Sequence, residues 1–66
     1  MEMDMYEKVL KVVEQSEYGV TVSEVAKKLK VHRNTARFYL QVLEKTGQIV
    51  AVEKGRVVLY FPKKGS

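Results

Sequence analysis

The segment TVSEVAKKLKVHRNTARFYLQVLEK, residues 21–45, contains two short helical patterns separated by one tight turn. Thr21 and Glu24 have the spacing of a capping box, and this pair predicts a helix over residues 22–29. After the turn KVH, apolar residues recur at helical spacing until a glycine marks the end, which predicts a second helix over residues 33–46. Two helices joined by a tight turn are therefore the centre of the predicted fold.

Each of these helices has one apolar face that is expected to point into the core. In the first of them this face consists of Val22, Val25, Ala26 and Leu29. In the second it is a narrow arc of Ala36, Leu40 and Leu43, with Tyr39 at its edge. The remaining positions carry mostly polar and basic side chains, so each helix is predicted to have one buried and one solvent-facing side.

A further helix is predicted before this segment and a β-hairpin after it. The helix spans residues 4–18, with Asp4 as its N-cap and Gly19 as the residue of positive φ that ends it. The segment IVAVEKGRVVLYF, residues 49–61, predicts two strands around a two-residue turn at Lys54-Gly55. That turn pairs Glu53 with Arg56, Val52 with Val57 and Ile49 with Tyr60. Both faces of the ribbon are apolar, and Tyr60 and Phe61 are expected to close the core against the first helix.

The composition excludes several classes of function. The chain has no cysteine, which excludes disulfides, a cysteine zinc site and thiol chemistry. His32 is its single histidine, and it has neither further ligands for a metal nor a neighbouring carboxylate for acid–base work. No enzymatic activity, metal or cofactor is therefore predicted. Since no apolar run is long enough to cross a bilayer, the expected location is cytoplasmic.

The charge is unevenly distributed along the chain. In residues 1–17 two lysines stand against five acids, a net charge of −3, whereas in residues 18–66 ten basic residues stand against three acids, a net charge of +7. A basic region confined to one part of a domain favours a polyanion as the ligand. A lysine-rich solvated surface is the simpler alternative, and composition alone does not decide between the two.

The segments TVSEVAKKLKVHRNTARFYLQVLEKTGQI and VEKGRVVLYF resemble the winged helix-turn-helix family of DNA-binding domains. Ala26 stands where that family has a small residue at the crossing of two helices, and LEKTGQI matches the usual exit from the recognition helix into the wing. The resemblance implies one α+β domain over residues 1–66, with three helices followed by a two-stranded β-hairpin wing. One departure is His32, because the residue that caps the recognition helix in the family is usually serine, threonine or aspartate.

The resemblance also implies that helix 33–46 enters the major groove of DNA. Arg33, Asn34 and Arg37 suit base readout there, because arginine pairs with guanine and asparagine with adenine. Phosphate contacts are expected around them. The complete set of predicted DNA-binding residues is Arg33, Asn34, Arg37, Gln41, Lys27, Lys30, Lys54 and Arg56. The alternative is that these side chains only solubilise an exposed face.

The predicted function is a small double-stranded-DNA-binding transcriptional regulator. A homodimer is expected, because one reading helix gives little specificity and a dimer reads two half-sites. Phe38 and Val42, four residues apart on the outer face, favour a second hypothesis. With the apolar ribbon they suggest a winged-helix module that binds another protein. Neither a membrane nor a small-molecule ligand is predicted as a partner.

Overall fold

The computed structural model describes residues 4–63 and has three helices followed by a two-stranded antiparallel hairpin. This confirms the predicted α+β class and the order of its elements. The elements are α1 (Met5–Glu14), α2 (Val22–Leu29), α3 (Arg33–Lys45), β1 (Ile49–Lys54) and β2 (Val57–Pro62).

Helix α1 is shorter than the predicted span of residues 4–18. Asp4 caps it as expected, because its carboxylate accepts the Glu7 backbone N–H at 2.9 Å. The helix ends at Glu14, where the hydroxyl of Ser16 donates to the Val13 carbonyl at 2.8 Å. A serine that bonds to a nearby carbonyl competes with the next helical turn. Gly19 does have a positive φ of 87°, but it lies beyond the helix end and does not terminate it.

Helices α2 and α3 begin and end through local contacts. The capping box of α2 is complete, with Thr21 and Glu24 exchanging bonds of 2.9 and 3.2 Å. At the C-terminus of each helix, two consecutive backbone N–H groups donate to carbonyls of the last turns. The residue that donates the first of these two bonds has a positive φ. In α3 this residue is Gly47 (φ 83°), whereas in α2 it is Lys30 (φ 57°), a side chain that rarely adopts such a backbone.

The hairpin has the predicted strands but a different register. Lys54 pairs with Val57, and Val52 with Leu59, so the turn consists of Gly55 and Arg56. Both tight hairpin turns need a positive φ at their first central position, which a turn at Lys54-Gly55 would have imposed on a lysine. The observed turn instead places Gly55 there, with φ 61°. Each β2 partner moves by two residues, so the strands keep their faces and Arg56 moves from a strand into the turn.

The core lies where the three helices meet one face of the hairpin. It contains the predicted inner face of α3 but only Val25 and Ala26 of the predicted α2 face, since Val22 and Leu29 are half-buried at its edge. The buried residues are Val9, Val13, Val20, Val25, Ala26, Ala36, Leu40, Leu43, Ile49 and Tyr60. Two backbone bonds between Val20 and Tyr60, of 2.8 and 3.0 Å, extend the hairpin by a single bridge. This bridge draws the connection that precedes α2 against β2, and so brings the start of α2 close to the hairpin.

Contrary to the prediction, Phe61 does not join Tyr60 in closing the core. Successive residues of a strand point to opposite faces, and Tyr60 takes the inward position in β2. Phe61 therefore lies on the outer face of the ribbon, where its ring covers Gly19. A Cβ atom built on Gly19 would lie 2.8 Å from Cζ of Phe61. The glycine is needed here for close approach as well as for its backbone angle.

Candidate nucleic-acid interface

A groove with a volume of about 480 Å³ runs between the start of α2, the outer side of α3 and the hairpin. The residues that line it are Thr21, Val22, Ser23, Arg33, Arg37, Gln41, Arg56, Val57, Val58 and Tyr60. Three of these ten are arginines, and none is acidic. The groove is therefore a concave surface of positive charge.

Two elements supply the arginines. Arg33, Arg37 and Gln41 are four residues apart, so they form one stripe along α3 on the side next to the buried Ala36–Leu40 face. Arg56 comes from the hairpin turn, where the observed register places it opposite that stripe. The contacts of α2 with α3 and of α3 with β1 hold these two walls at a set separation. Secondary structure with a packed core thus positions the four side chains.

The floor of the groove carries hydroxyl groups that sequence reasoning did not assign to a site. Tyr60 has a buried ring, and its hydroxyl faces the groove beside Arg37 and Glu44. Burial raises the pKa of this phenol above its ordinary value, and the Glu44 carboxylate raises it further, whereas Arg37 lowers it. The hydroxyl therefore stays protonated at neutral pH and can donate a hydrogen bond. Thr21 and Ser23 add two more hydroxyls at the start of α2.

The sequence predicts only part of the role of these hydroxyl residues. Its local pattern predicts Thr21 as a helix cap and Tyr60 as a core residue, and both are observed. Their position against α3 depends on the bridge between Val20 and Tyr60, which joins residues far apart in the chain.

The other predicted site residues are exposed but do not line the groove. Lys27 and Lys30 lie on α2 and at its end, and Asn34 lies beside the arginine stripe of α3. Lys54 closes the hairpin through its pair with Val57. The structure thus brings together Arg33, Arg37, Gln41 and Arg56 and leaves Lys27, Lys30, Asn34 and Lys54 outside the groove.

His32 caps α3. Its Nδ1 accepts the backbone N–H of Asn34 at 3.1 Å. Among residues 4–63, no three His, Cys, Asp or Glu side chains lie close enough together to hold a metal ion. Within the same residues, no helix is long and apolar enough to cross a membrane.

A second feature of α3 is a chain of aromatic rings. The Tyr39 ring meets the Tyr6 ring edge to face, with centroids 4.7 Å apart and an interplanar angle of 82°. The ring of Phe38 meets Tyr39 in the same manner, with centroids 5.5 Å apart and an angle of 76°. Tyr39 is half-buried, whereas 55 % of the Phe38 surface is exposed. Phe38 is thus held at the end of a ring cluster with most of its surface in solvent.

A family model described as S25 ribosomal protein matches residues 1–63. A comparison with curated proteins found no significant match. The family match overturns the predicted membership of the winged helix-turn-helix DNA-binding family, although the fold which that resemblance implied is confirmed. Because one fold can host unrelated functions, the arrangement of helices and hairpin does not determine which ligand the protein binds.

The predicted function and partners are corrected in the same way. The predicted function, a DNA-binding transcriptional regulator, is wrong, because the matching family is one of ribosomal proteins. The alternative hypothesis of a protein-interaction module is not better supported. The predicted partner, double-stranded DNA, is also wrong, since the family implies ribosomal RNA and ribosomal proteins as partners. Since DNA is no longer the partner, the half-site argument for a homodimer no longer applies.

Proposed function

The chain belongs to the S25 ribosomal protein family, and on this basis we propose that it is a structural, non-catalytic protein of the ribosome whose groove binds ribosomal RNA. The observation that carries the proposal is the groove itself, with three arginines from two elements and no acid among its ten lining residues. Its partners are ribosomal RNA and neighbouring ribosomal proteins, and its location is the cytoplasm.

Phosphate binding follows from the chemistry of the lining residues. The guanidinium group is planar and always charged, and its donors match two phosphate oxygens at once. Arg33 and Arg37 on one wall and Arg56 on the other form a clamp for a phosphate backbone passing between them. The Tyr60 hydroxyl adds a neutral donor that suits the 2′-hydroxyl of RNA.

The shape of an RNA helix favours contact by such a surface. A-form RNA has a deep, narrow major groove and a wide, shallow minor groove, so proteins recognise it mainly through phosphates and 2′-hydroxyls. We assign phosphate contact along strands that leave the groove to three exposed lysines that do not line it, Lys27, Lys30 and Lys54.

The proposal is tested by replacing the groove arginines while controlling for net charge. The variant Arg33→Gln/Arg37→Gln/Arg56→Gln removes three charges from the groove. The control, Lys8→Gln/Lys11→Gln/Lys28→Gln, removes three charges from exposed positions that do not line it. We expect the first variant to lose association with ribosomes in sucrose gradients and the second to retain it.

Salt dependence gives the quantitative form of the test. Each neutralised phosphate adds about 0.7–0.9 to the slope of log affinity against log salt, so three contacts weaken binding roughly 20- to 40-fold between about 50 and 200 mM salt. Titration of labelled ribosomal RNA fragments measures this slope. Equal losses in the two triple variants would show that net charge alone drives binding and would contradict the assignment of the groove.

A further inference from the structure

The exposed ring of Phe38 is the feature of α3 that the groove does not use. More than half of its surface is in solvent, whereas the core positions of the same helix are almost fully buried. Tyr39 holds the ring edge to face at 76°, so at most one of its two faces is covered by a neighbouring ring. Tyr39, which is half-buried, in turn meets the exposed ring of Tyr6, so Phe38 is supported by one half-buried ring. The result is a supported aromatic ring with more than half of its surface in solvent.

Two amide side chains share the surface of α3 with Phe38. At about 100° per residue, Asn34 and Gln41 lie on the helix surface between Arg37 and Phe38. Asn34 is one turn before Phe38, or about 6 Å along the helix axis at 1.5 Å per residue. Both side-chain amides carry a donor and an acceptor, and all three side chains are exposed.

We propose that Phe38 is a stacking surface for an unpaired base of ribosomal RNA, with Asn34 and Gln41 placed to bond the edge of that base. The inference rests on the proposed function, since the strand that supplies the base is the one whose phosphates occupy the arginine groove. Aromatic rings beside a positive groove are the general means by which proteins bind unpaired nucleotides. The positive charge on the same helix, from Arg33, Arg37 and Lys45 against Glu44, is complementary to such a strand.

The test compares two RNAs of equal length and charge, one fully paired and one with an internal loop of unpaired adenines. Phe38→Leu retains an apolar side chain of good helix propensity but removes the aromatic face. We expect it to weaken binding of the looped RNA about five- to tenfold and to leave the paired RNA unchanged. Tyr18→Leu is the matched control, because Tyr18 is 81 % exposed and lies outside this surface.

A second variant reports stacking directly. Phe38→Trp retains a π face, so we expect it to bind the looped RNA as tightly as the unchanged chain. Its indole fluorescence should be quenched by the looped RNA and much less by the paired one. Quenching to the same extent by both RNAs, or none with either, would overturn the inference.

The outcomes separate this inference from the proposed function. If the unchanged chain binds neither RNA, the proposed function and the inference fail together. If Arg33→Gln/Arg37→Gln/Arg56→Gln weakens both RNAs while Phe38→Leu weakens neither, RNA binding stands and the stacking surface is refuted. If Phe38→Leu instead weakens binding to a purified ribosomal protein and neither RNA, the surface contacts protein and the inference is also refuted.

Discussion

Replacement of Gly19 by alanine should destabilise the fold through two separable effects. The backbone at Gly19 has φ 87°, a region where a Cβ atom costs about 1–2 kcal/mol. The new methyl group would also lie 2.8 Å from Cζ of Phe61 and 3.0 Å from both Cε atoms, so the ring must move. Overpacking of a core costs about 1–3 kcal/mol, and the lower end, about 1 kcal/mol, applies here because the half-buried Phe61 ring can shift. The sum, about 2–3 kcal/mol, predicts a Tm lower by at least about 8 °C for a domain of this size.

Gly47→Ala separates the two effects. Its φ of 83° is almost the same, but no atom lies within 4 Å of a Cβ built there, so only the backbone cost applies. Thermal and urea unfolding followed by circular dichroism should rank the unchanged chain first, Gly47→Ala second and Gly19→Ala last. In a Phe61→Leu background, the extra loss at Gly19 should shrink. If Gly19→Ala and Gly47→Ala unfold at the same temperature, Phe61 does not pack on Gly19 and the account is refuted.

Three further outcomes follow from single residues. Lys30→Gly should raise the free energy of unfolding by about 0.5–1 kcal/mol, because glycine adopts the positive φ of 57° without a Cβ penalty; an unchanged urea midpoint would contradict this. His32→Ser should stabilise the domain by about 0.5–1 kcal/mol, since serine is a preferred N-cap; a lower urea midpoint would show that the imidazole is the better cap at this position. Burial raises the pKa of Tyr60, so above about pH 10 the native state keeps this proton while the unfolded chain loses it. The free energy of unfolding should therefore decrease as the pH rises beyond about 10. In alkaline unfolding curves, the stability of the Tyr60→Phe variant should decrease less steeply.

The class of ligand is the point at which sequence reasoning failed. Arg33, Arg37 and Arg56 indicated a polyanion, and the structure does gather them in one groove. A guanidinium group binds the phosphates of DNA and of RNA by the same geometry, so these residues do not distinguish the two. The resemblance in fold then favoured DNA, although a fold alone does not determine function. Only the family match corrected the assignment.

The sequence by itself determined the features that depend on neighbours within about one helical turn. The capping box at Thr21 and Glu24, the buried faces of α2 and α3, and the closure of α3 at Gly47 all arise from residues three to five positions apart. Such contacts form between groups that the chain already holds close, so spacing and residue type are enough to predict them.

The tertiary structure decided the features that join distant residues. The bridge between Val20 and Tyr60 sets the start of α2 against β2, and the packing of the hairpin on the helices presents Arg56 to α3. Phe61 covers Gly19 although more than forty positions separate them in the chain. These contacts compete with many alternatives of similar local energy, and they are selected only when the whole core packs at once. The stripe of Arg33, Arg37 and Gln41 follows from spacing within α3, so it was visible in the sequence. The groove was not, because contacts between distant residues set its other sides against that stripe.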